Sequence, residues 1–416
     1  MDKRIYLCLA HMSEAGLEQK YIKEAFDTNW VVPLGPNVNG FEKDLEEFCG
    51  QNKRVVALSA GTAAVHLALI ACGVKLGDEV CVQSFTFCAS SHPITYLGAT
   101  PVFIDSEKDT WNMDPELLEE AIKDRIAKTG KKPKAIVPVA LYGMPYNVDR
   151  IMEIANRYDI PVIEDAAEGF GSRWKGQVLG TFGKYGVLSF NGNKMITTSG
   201  GGALITNNEE EWREIMMYAT QYRESYPYYQ HEKIGFNYRM SNICAGIGRG
   251  QMTVANDHIA HHKKVQRMYE ELLADVPGVH VHAQPATGEY DSNYWLCTIT
   301  IDECVKIKGQ ENAYKAIVQG AVGGAAGVIH VADSATTDCQ PNDNVEALRV
   351  YMDAAGIEAR PLWKPMHKQP CYKDAPAYLN GVSEAMFKVG MYLPDGPYVG
   401  EDDVRYIVEC IKKAIC

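Results

Sequence analysis

The sequence contains none of the patterns that are typical of proteins bound to membranes or nucleic acids. Its 416 residues include no run of 18 consecutive apolar residues, so no transmembrane helix is expected. No block of five or six basic residues occurs, and the formal net charge is -12, which argues against binding to nucleic acid phosphates. The apolar run after Lys3 and Arg4 is shorter than a signal peptide requires and is interpreted as a first strand or extended arm. These absences predict a cytoplasmic protein without a membrane or nucleic acid partner.

Cysteine is present in number but lacks any regular spacing. Twelve cysteines are scattered between Cys8 and Cys416 without a Cys-x-x-Cys pair. This spacing matches neither a zinc site nor the disulfide framework of a secreted protein. We therefore expect free thiols in a reducing compartment, and we predict no metal site.

Two common nucleotide-binding motifs are also missing. No G-x-G-x-x-G follows the first predicted strand, and no G-x-x-x-x-G-K-[ST] occurs. Their absence counts against a nucleotide-binding α/β protein of the dinucleotide or P-loop type.

Seven short apolar runs alternate with helical stretches in the first half of the chain. Because the runs are continuously apolar, they are typical of strands buried on both faces. Helices between such strands indicate a mostly parallel α/β sheet. One helix is expected to begin with Asp114 as its N-cap and Pro115 in its first turn. The seven runs are residues 54–58, 79–83, 101–105, 135–141, 161–165, 186–190 and 202–206.

The chain is too long for one compact core, and two domains are expected. We place an N-terminal arm and a large domain at residues 1–255, and a smaller α+β domain at residues 256–416. The last helix of the small domain shows apolar residues at i, i+3, i+4 and i+7 from Val404. A Gly/Ala-rich stretch around residues 318–344 is interpreted as an insertion in this domain, with no assigned function.

Three sets of residues carry candidate chemistry, and each has an ordinary alternative. Gly61 and Thr62 open a helix after a strand, where free N–H groups attract a phosphate; the alternative is an ordinary capped helix. Asp165 ends another strand, where a carboxylate holds a heterocycle nitrogen protonated; the alternative is a helix N-cap. Ser189 and Lys194 follow a third strand. A buried lysine amine is a nucleophile, whereas most lysines are surface cations.

Taken together, these residues predict pyridoxal 5'-phosphate as a cofactor. That cofactor has a phosphate to anchor, a pyridine nitrogen to pair with an acid, and an aldehyde that forms a Schiff base with lysine. The glycines at residues 200–202 are expected to allow close packing into the next strand rather than to bind phosphate.

Eight further stretches occur in an order that resembles the DegT/DnrJ/StrS family of sugar aminotransferases over nearly the whole chain. The resemblance implies the aspartate-aminotransferase fold, fold type I. This fold has a large, mostly parallel seven-stranded sheet with helices on both faces and a smaller α+β domain. The stretches are GPNVNGFE (35–42), SAGTAAVHLAL (59–69), GDEVCVQSFTFCASSHPITYLGATPVFID (77–105), LYGMP (141–145), IEDAAEGFGS (163–172), SFNGNK (189–194), GFNYRMSN (235–242) and WKPMHKQPCY (363–372).

The resemblance assigns a role to each candidate cofactor contact. Lys194 resembles the Schiff-base lysine, and Asp165 the acid that pairs with the pyridinium nitrogen. Phe87 matches the aromatic that stacks on the cofactor ring, with a core phenylalanine as the alternative. Asn237 matches a residue that reaches across a dimer interface to the phosphate, which implies a homodimer with shared active sites. The phosphate-binding turn and hydroxyl correspond to Gly61, Thr62 and Ser189.

Two substitutions depart from the family pattern. Glu168 stands where many members carry Gln or His near the ring hydroxyl of the cofactor, so its role is open. Ser199 replaces an acidic residue that is common in the Gly-rich stretch. Some relatives carry histidine in place of the Schiff-base lysine and are dehydratases. Lys194 therefore favours transamination.

The stretches SFNGNK and NYWL resemble a subgroup of UDP-linked C4 aminotransferases of surface-glycan pathways. The expected reaction transfers an amino group from L-glutamate to the C4 ketone of a nucleotide-linked keto sugar. The expected sugar is UDP-2-acetamido-4-keto-2,6-dideoxyhexose. Candidate substrate contacts, each with structural packing as the alternative, are Trp30, Arg239, Trp363 and His367.

Other functions stay open at this point. The same chemistry would serve a dTDP-3-keto or dTDP-4-keto sugar. A non-catalytic regulatory protein would bind pyridoxal phosphate without turnover. In a nucleotide-binding α/β protein, Lys194 would be a phosphate contact, although the missing motifs count against it.

Overall fold

The computed structural model describes residues 4–50, 52–314 and 339–416. Most of the Gly/Ala-rich insertion, up to residue 338, lies outside the described residues. The helices are α1 (Leu17–Asp27), α2 (Pro36–Cys49), α3 (Gly61–Ala71), α4 (His92–Tyr96), α5 (Pro115–Thr129), α6 (Val148–Tyr158), α7 (Glu209–Ala219), α8 (Asn242–Met252), α9 (Ala255–Leu273), α10 (Asp343–Ala354), α11 (Val382–Val389) and α12 (Glu401–Ala414). The strands are β1 (Arg54–Leu58), β2 (Glu79–Gln83), β3 (Thr100–Ile104), β4 (Ala135–Val137), β5 (Ile163–Asp165), β6 (Arg173–Trp174), β7 (Gln177–Val178), β8 (Tyr185–Ser189), β9 (Gly202–Thr206), β10 (Val279–Val281), β11 (Tyr290–Asp291), β12 (Cys297–Ile301), β13 (Arg360–Pro361), β14 (Ala377–Tyr378) and β15 (Gly390–Leu393).

The main sheet has eight strands in the order β14-β3-β2-β4-β5-β8-β9-β1, in which the short edge strand β14 comes from the C-terminal part of the chain. Two parallel bridges, from Ile136 to Val162 and from Val139 to Asp165, join β4 to β5. Only β9 runs antiparallel to its neighbours among these eight strands of the described chain. The mostly parallel sheet predicted from the seven apolar runs is therefore confirmed, and β14 extends it by one strand.

The strands of this sheet are buried on both faces, which explains their continuous apolar sequence. In β1, Val55 and Ala57 pack into one hydrophobic core, and Val56 and Leu58 pack into the core on the opposite face. Successive side chains of a strand point to opposite faces, so a strand between two helical layers needs apolar residues at every position.

Helix α5 begins where its sequence predicts. The Oδ1 atom of Asp114 accepts hydrogen bonds from the backbone N–H of Glu116 at 2.8 Å and of Leu117 at 3.3 Å. Pro115 occupies the first helical position, where a missing N–H leaves no hydrogen bond unmade.

The C-terminal part contains a second, antiparallel sheet in the order β10-β12-β15-β13. Its core includes the buried face of α12, formed by Val404, Ile407, Val408 and Ile411 as the periodicity predicts. The proposed boundary at residue 255 stays a prediction. No helix in the described part of the chain is long and apolar enough to cross a membrane.

The carboxyl ends of β1, β5 and β8 lie at one edge of the main sheet. Gly202 pairs with Leu58 of β1 on one side and with Ser189 of β8 on the other, and this pairing fixes the ends of both strands. Ligands of open α/β sheets bind at such an edge.

Candidate active site

A cleft of about 1010 Å³ opens at this edge of the main sheet. Its walls also include residues 6–9 of the N-terminal segment and residues of the C-terminal part, among them Trp295 and Arg360. Most of the residues predicted for the site are therefore brought together. Those that line the cleft are Gly61, Thr62, Phe87, Asp165, Glu168, Ser189, Lys194 and Trp363.

The first turn of α3 presents uncapped backbone to this cleft. Its N-cap residue, Ala60, makes no side-chain hydrogen bond to the turn. A Cβ atom on Gly61 would lie 3.0 Å from the Cβ of Ser189, so the turn and the serine are in close contact. The free N–H groups and the positive end of the helix dipole suit an anion such as a phosphate.

Gly202 permits this close approach. A Cβ atom on Gly202 would lie 2.4 Å from the backbone nitrogen of Gly61, which is far inside van der Waals contact. The packing role predicted for the glycines after Lys194 is confirmed at this position. Gly200 and Gly201 instead line the cleft.

Asp165 lies at the floor of the cleft and is 5% exposed. Its Oδ2 accepts a hydrogen bond from Ser90 Oγ at 2.6 Å, and its Oδ1 accepts one from the backbone N–H of Ala167 at 3.2 Å. Burial raises the pKa of the Asp165 carboxyl, and these two hydrogen bonds oppose the rise. A cationic N–H placed beside the carboxyl would favour its ionised form.

The Lys194 amine lies inside the cleft and not on the surface. Its side chain is 13% exposed, and its Nζ lies 3.5 Å from Oε1 of Glu168. The Nζ also lies 3.9 Å from the ring centroid of Trp295. The Trp295 ring is fixed by a hydrogen bond of 2.7 Å from its Nε1 to the carbonyl of Asn193. Because its side chain is largely buried, Lys194 is not a surface cation.

Trp295 is a site residue that the sequence reasoning did not select. It belongs to the stretch NYWL, which resembles a subgroup of the family, but that resemblance implies no role for its indole. The residue lies just before β12 in the second sheet, about a hundred positions after Lys194, so no local pattern links the two.

Glu168 is held beside the amine by its other oxygen. The side chain is 4% exposed, and Oε2 accepts a hydrogen bond of 2.7 Å from the backbone N–H of Tyr142. Burial raises the pKa of the Glu168 carboxyl to about 7, although the nearby Lys194 opposes the rise. A carboxyl in this range both accepts and releases a proton near neutral pH.

Two aromatic side chains form an outer wall of the cleft. The Phe87 ring is 54% exposed, and its centroid lies 5.6 Å from that of Trp363. The backbone N–H of Trp363 donates to the Tyr142 hydroxyl at 2.9 Å, which anchors this wall to the core. Because Phe87 is exposed in the cleft, the alternative of a core phenylalanine is wrong.

Two predicted substrate contacts are engaged elsewhere. The Arg239 guanidinium pairs with the buried Glu42 carboxylate and donates to the carbonyl of Ala57 at 3.0 Å. The His367 Nδ1 lies 2.7 Å from Ser84 Oγ, and burial lowers the pKa of this imidazole. Neither Arg239 nor His367 is among the described residues that line the cleft.

Trp30 and Asn237 also lie outside the cleft walls of this single chain. The Trp30 side chain is 40% exposed, and its carbonyl accepts a hydrogen bond of 2.9 Å from Asn242 Nδ2. Asn237 is exposed and its backbone forms a bridge with Thr220. Ser199 adopts a left-handed φ of 70° in the turn before β9.

The sheet and the groups at its edge define a pyridoxal-phosphate-dependent aminotransferase of fold type I. A solved DegT/DnrJ/EryC1/StrS aminotransferase from Brucella abortus superposes with a TM-score of 0.81 at 28% identity, covering 96% of this chain and 95% of that one. The chain belongs to the DegT/DnrJ/EryC1/StrS aminotransferase family, whose profile matches residues 13–322 and 324–412. It is therefore a sugar aminotransferase, and the non-enzymatic alternatives are set aside.

Two relatives are similar over almost their whole length. EpsN of Bacillus subtilis (strain 168), assigned as a pyridoxal phosphate-dependent aminotransferase, is 42% identical over 99% of this chain and 96% of its own. The GDP-perosamine synthase of Escherichia coli O157:H7 is 32% identical over 98% of both chains. The relatives therefore support the family and the cofactor, and they leave the nucleotide of the substrate open.

The residues at this edge fit pyridoxal phosphate. The uncapped turn at Gly61 suits its phosphate, the buried carboxyl of Asp165 suits its ring nitrogen, and the amine of Lys194 suits its aldehyde. The absence of side chains at Gly61 and Gly202 lets the first turn of α3 pack closely against Ser189 and the start of β9.

Proposed function

We propose that this protein transfers an amino group from L-glutamate to the C4 ketone of a nucleotide-linked keto sugar. The proposed substrate is UDP-2-acetamido-4-keto-2,6-dideoxyhexose, used in surface-glycan synthesis. The observation that supports catalysis most directly is the position of Lys194, whose Nζ is buried in the cleft beside Glu168 and Trp295.

Each cofactor contact has a proposed role. The first turn of α3 and the Ser189 hydroxyl bind the phosphate, and Asp165 stays ionised beside the ring nitrogen. When bound, pyridoxal phosphate supplies an electrophilic aldehyde and an electron-withdrawing ring. The Phe87 ring packs over the face of the cofactor, where its exposure leaves it free to do so.

The Lys194 amine is proposed to be both nucleophile and general base. Once displaced by the amino donor, its Nζ takes the proton from the donor α-carbon, and later it returns a proton to the sugar carbon. Glu168 Oε1 lies 3.5 Å from this amine and is proposed to exchange a proton with it. Its raised pKa, about 7, suits that exchange.

The sugar nucleotide is proposed to enter between the aromatic wall and the N-terminal segment. Trp363 lines this entrance, as does Arg360, whose guanidinium is 52% exposed and pairs with Glu358 at 2.6 Å. An aromatic face and a cation suit the sugar ring and the diphosphate of such a substrate. Arg360 replaces Arg239 as the proposed cationic contact, because Arg239 is held by Glu42.

We also propose a homodimer whose two chains share the active sites. Asn237 is exposed, which leaves it free to reach the phosphate in a partner subunit. Nearby surfaces expose large apolar side chains, which favours association. These side chains are Phe26, Trp30, Val31, Val32, Leu34, Tyr226, Tyr228, Tyr229 and Ile234.

A mixing experiment tests the shared site. Asn237→Ala and Lys194→Ala subunits should each be weakly active or inactive, and mixed dimers should recover activity at the one site that keeps both native residues. If subunits exchange, as shown by mass-tagged chains, but no activity returns, the shared site is wrong.

A GDP-linked amino sugar is a second candidate product, because the chain is 32% identical to a GDP-perosamine synthase. A dTDP-linked keto sugar remains an alternative with the same chemistry.

A substrate panel separates these candidates. The enzyme is incubated with L-glutamate and UDP-, GDP- or dTDP-linked 3-keto and 4-keto sugars, and products are identified by mass and NMR. We expect kcat/KM to be highest for the UDP-linked 4-keto sugar and turnover to vanish in Lys194→Ala. A higher kcat/KM with a GDP- or dTDP-linked sugar would contradict the proposed substrate, and no aminated product at all would contradict the proposed reaction.

A further inference from the structure

Behind one wall of the cleft lies a buried cluster formed by Cys8, His262 and Asp395. The residues come from the N-terminal segment, from α9 and from the turn after β15. One donor atom from each residue, the Sγ, a ring nitrogen and a carboxylate oxygen, lies within 4.8 Å of the other two. All three side chains are buried, and both His262 and Asp395 have no measurable side-chain exposure.

Three buried polar atoms of this cluster have no hydrogen-bond partner among the described residues. Neither ring nitrogen of His262 makes a hydrogen bond to the described residues, and Oδ1 of Asp395 also lacks a partner there. The two groups face each other with 3.6 Å between His262 Nδ1 and Asp395 Oδ1, which is too long for a hydrogen bond. Buried polar atoms without partners are rare, because burial costs them their hydration.

We propose that Cys8, His262 and Asp395 bind a Zn²⁺ ion. Zinc bonds of about 2.0–2.3 Å place two ligand atoms of a tetrahedron about 3.3–3.8 Å apart. The 3.6 Å between His262 and Asp395 fits one edge of such a tetrahedron. The ion would also satisfy the unpaired Oδ1 and one unpaired ring nitrogen.

Charge and ligand type select zinc among the common cations. One thiolate and one carboxylate neutralise a divalent ion, so the buried site carries no net charge when it is filled. Sulfur and imidazole ligands disfavour Mg²⁺ and Ca²⁺, which prefer oxygen, and they suit Zn²⁺. The fourth position of the tetrahedron is left for a water molecule.

The surrounding backbone positions the ligands. The second oxygen of Asp395 accepts a hydrogen bond from the backbone N–H of Cys297, which turns Oδ1 towards His262. The backbone N–H of Asp395 donates to the Leu7 carbonyl at 3.0 Å, next to Cys8. Since Leu7 and Cys8 also line the cleft, the ion would fasten this wall to α9 and to the second sheet.

Zinc binding to the tag-free, cofactor-loaded protein tests the proposal. After chelation and dialysis, ZnCl₂ is titrated by calorimetry, and bound metal is counted by mass spectrometry. We expect about one Zn²⁺ per chain and, with CoCl₂, the intense visible bands of tetrahedral Co²⁺. In Cys8→Ser and Asp395→Asn, we expect the dissociation constant to rise about 100-fold or more, at least as much as loss of a supporting residue causes.

His280 provides a matched control because its Nε2 lies 3.1 Å from Asp302 Oδ1 in an exposed pair. His280→Asn should bind zinc as tightly as the native chain. Failure of the native protein to bind zinc would leave only a His262–Asp395 ion pair and overturn the proposal. The proposal would also be overturned if Cys8→Ser and Asp395→Asn bound zinc as tightly as the native chain, or if His280→Asn bound it more weakly. If the ligand variants do not fold, an octahedral Co²⁺ spectrum in the native protein would be decisive against the site.

Discussion

Replacing Glu168 by glutamine tests the electrostatics of the site without changing its shape. In the cofactor-free protein, burial raises the pKa of the Glu168 carboxyl from its ordinary 4.5 to about 7. The folded chain therefore binds a proton at this carboxyl between pH 4.5 and 7 that the unfolded chain releases. Stability must then fall as the pH rises through this window, because the folded state binds more protons.

The size of the effect follows from the width of the window. The interval from 4.5 to about 7 corresponds to a loss of about 3 kcal/mol in the free energy of unfolding. Glu168→Gln does not titrate and keeps a hydrogen-bond acceptor for the backbone N–H of Tyr142. The variant should therefore gain about 3 kcal/mol relative to the native chain between pH 4.5 and 8, and most of this gain should fall below pH 7.

Urea denaturation of both cofactor-free proteins at several pH values measures this difference. Glu384→Gln is a control with the opposite shift, because Lys368 and Lys388 lower the pKa of that carboxyl to about 2. The stability that Glu384 contributes is lost only as the pH falls below 4.5. The difference in the free energy of unfolding between Glu384→Gln and the native chain should therefore stay constant between pH 5 and 8. If the difference in the free energy of unfolding between Glu168→Gln and the native chain were also constant over this pH range, the raised pKa of Glu168 would be refuted.

Three further substitutions test neighbouring parts of the site. Asp165→Asn should weaken cofactor binding about 10- to 100-fold, as the loss of a charge-assisted hydrogen bond predicts, and fluorescence titration would show unchanged affinity if Asp165 does not contact the ring nitrogen. Trp295→Ala should speed the reaction of the Lys194 amine with added pyridoxal phosphate at neutral pH about 2- to 30-fold, because it removes a ring 3.9 Å from Nζ that favours the charged, unreactive amine, and an unchanged rate would rule out that contribution. Arg239→Met should destabilise the fold by about 3–5 kcal/mol, since the buried Glu42 loses its partner, whereas a higher KM for the sugar without loss of stability would restore Arg239 as a substrate contact.

The sheet was predictable from the sequence because the cause of its pattern is local. Each strand lies between two helical layers, so Val55 and Val56, on opposite faces, are both buried and both apolar. The placement of Asp165 and Lys194 was predictable for a related reason. Asp165 ends β5 and Lys194 follows β8, and the carboxyl ends of these neighbouring parallel strands meet at one edge of the sheet.

Contacts between distant segments could not be read from local patterns. Arg239 was expected at the substrate, but it is neutralised by Glu42, which lies 197 residues away in the sequence. Trp295 reaches Lys194 from the second sheet. The Cys8, His262 and Asp395 cluster joins three separate parts of the chain, and so the cysteine spacing predicted no metal site.

The surroundings of Lys194 explain why a carboxylate at residue 168 suits this site. Both Glu168, at 3.5 Å, and the face of Trp295, at 3.9 Å, attract the amine in its charged form. The amine is a nucleophile only when it is neutral, so its proton must leave before it can react. Glu168 Oε1 is close enough to accept that proton after a small movement, and burial, which raises the pKa of its carboxyl to about 7, makes it a stronger base than an exposed carboxylate. A glutamine at residue 168 would keep the contact with Lys194 but would lose the carboxylate that accepts its proton. The variant therefore separates the positioning of Lys194 from the exchange of its proton.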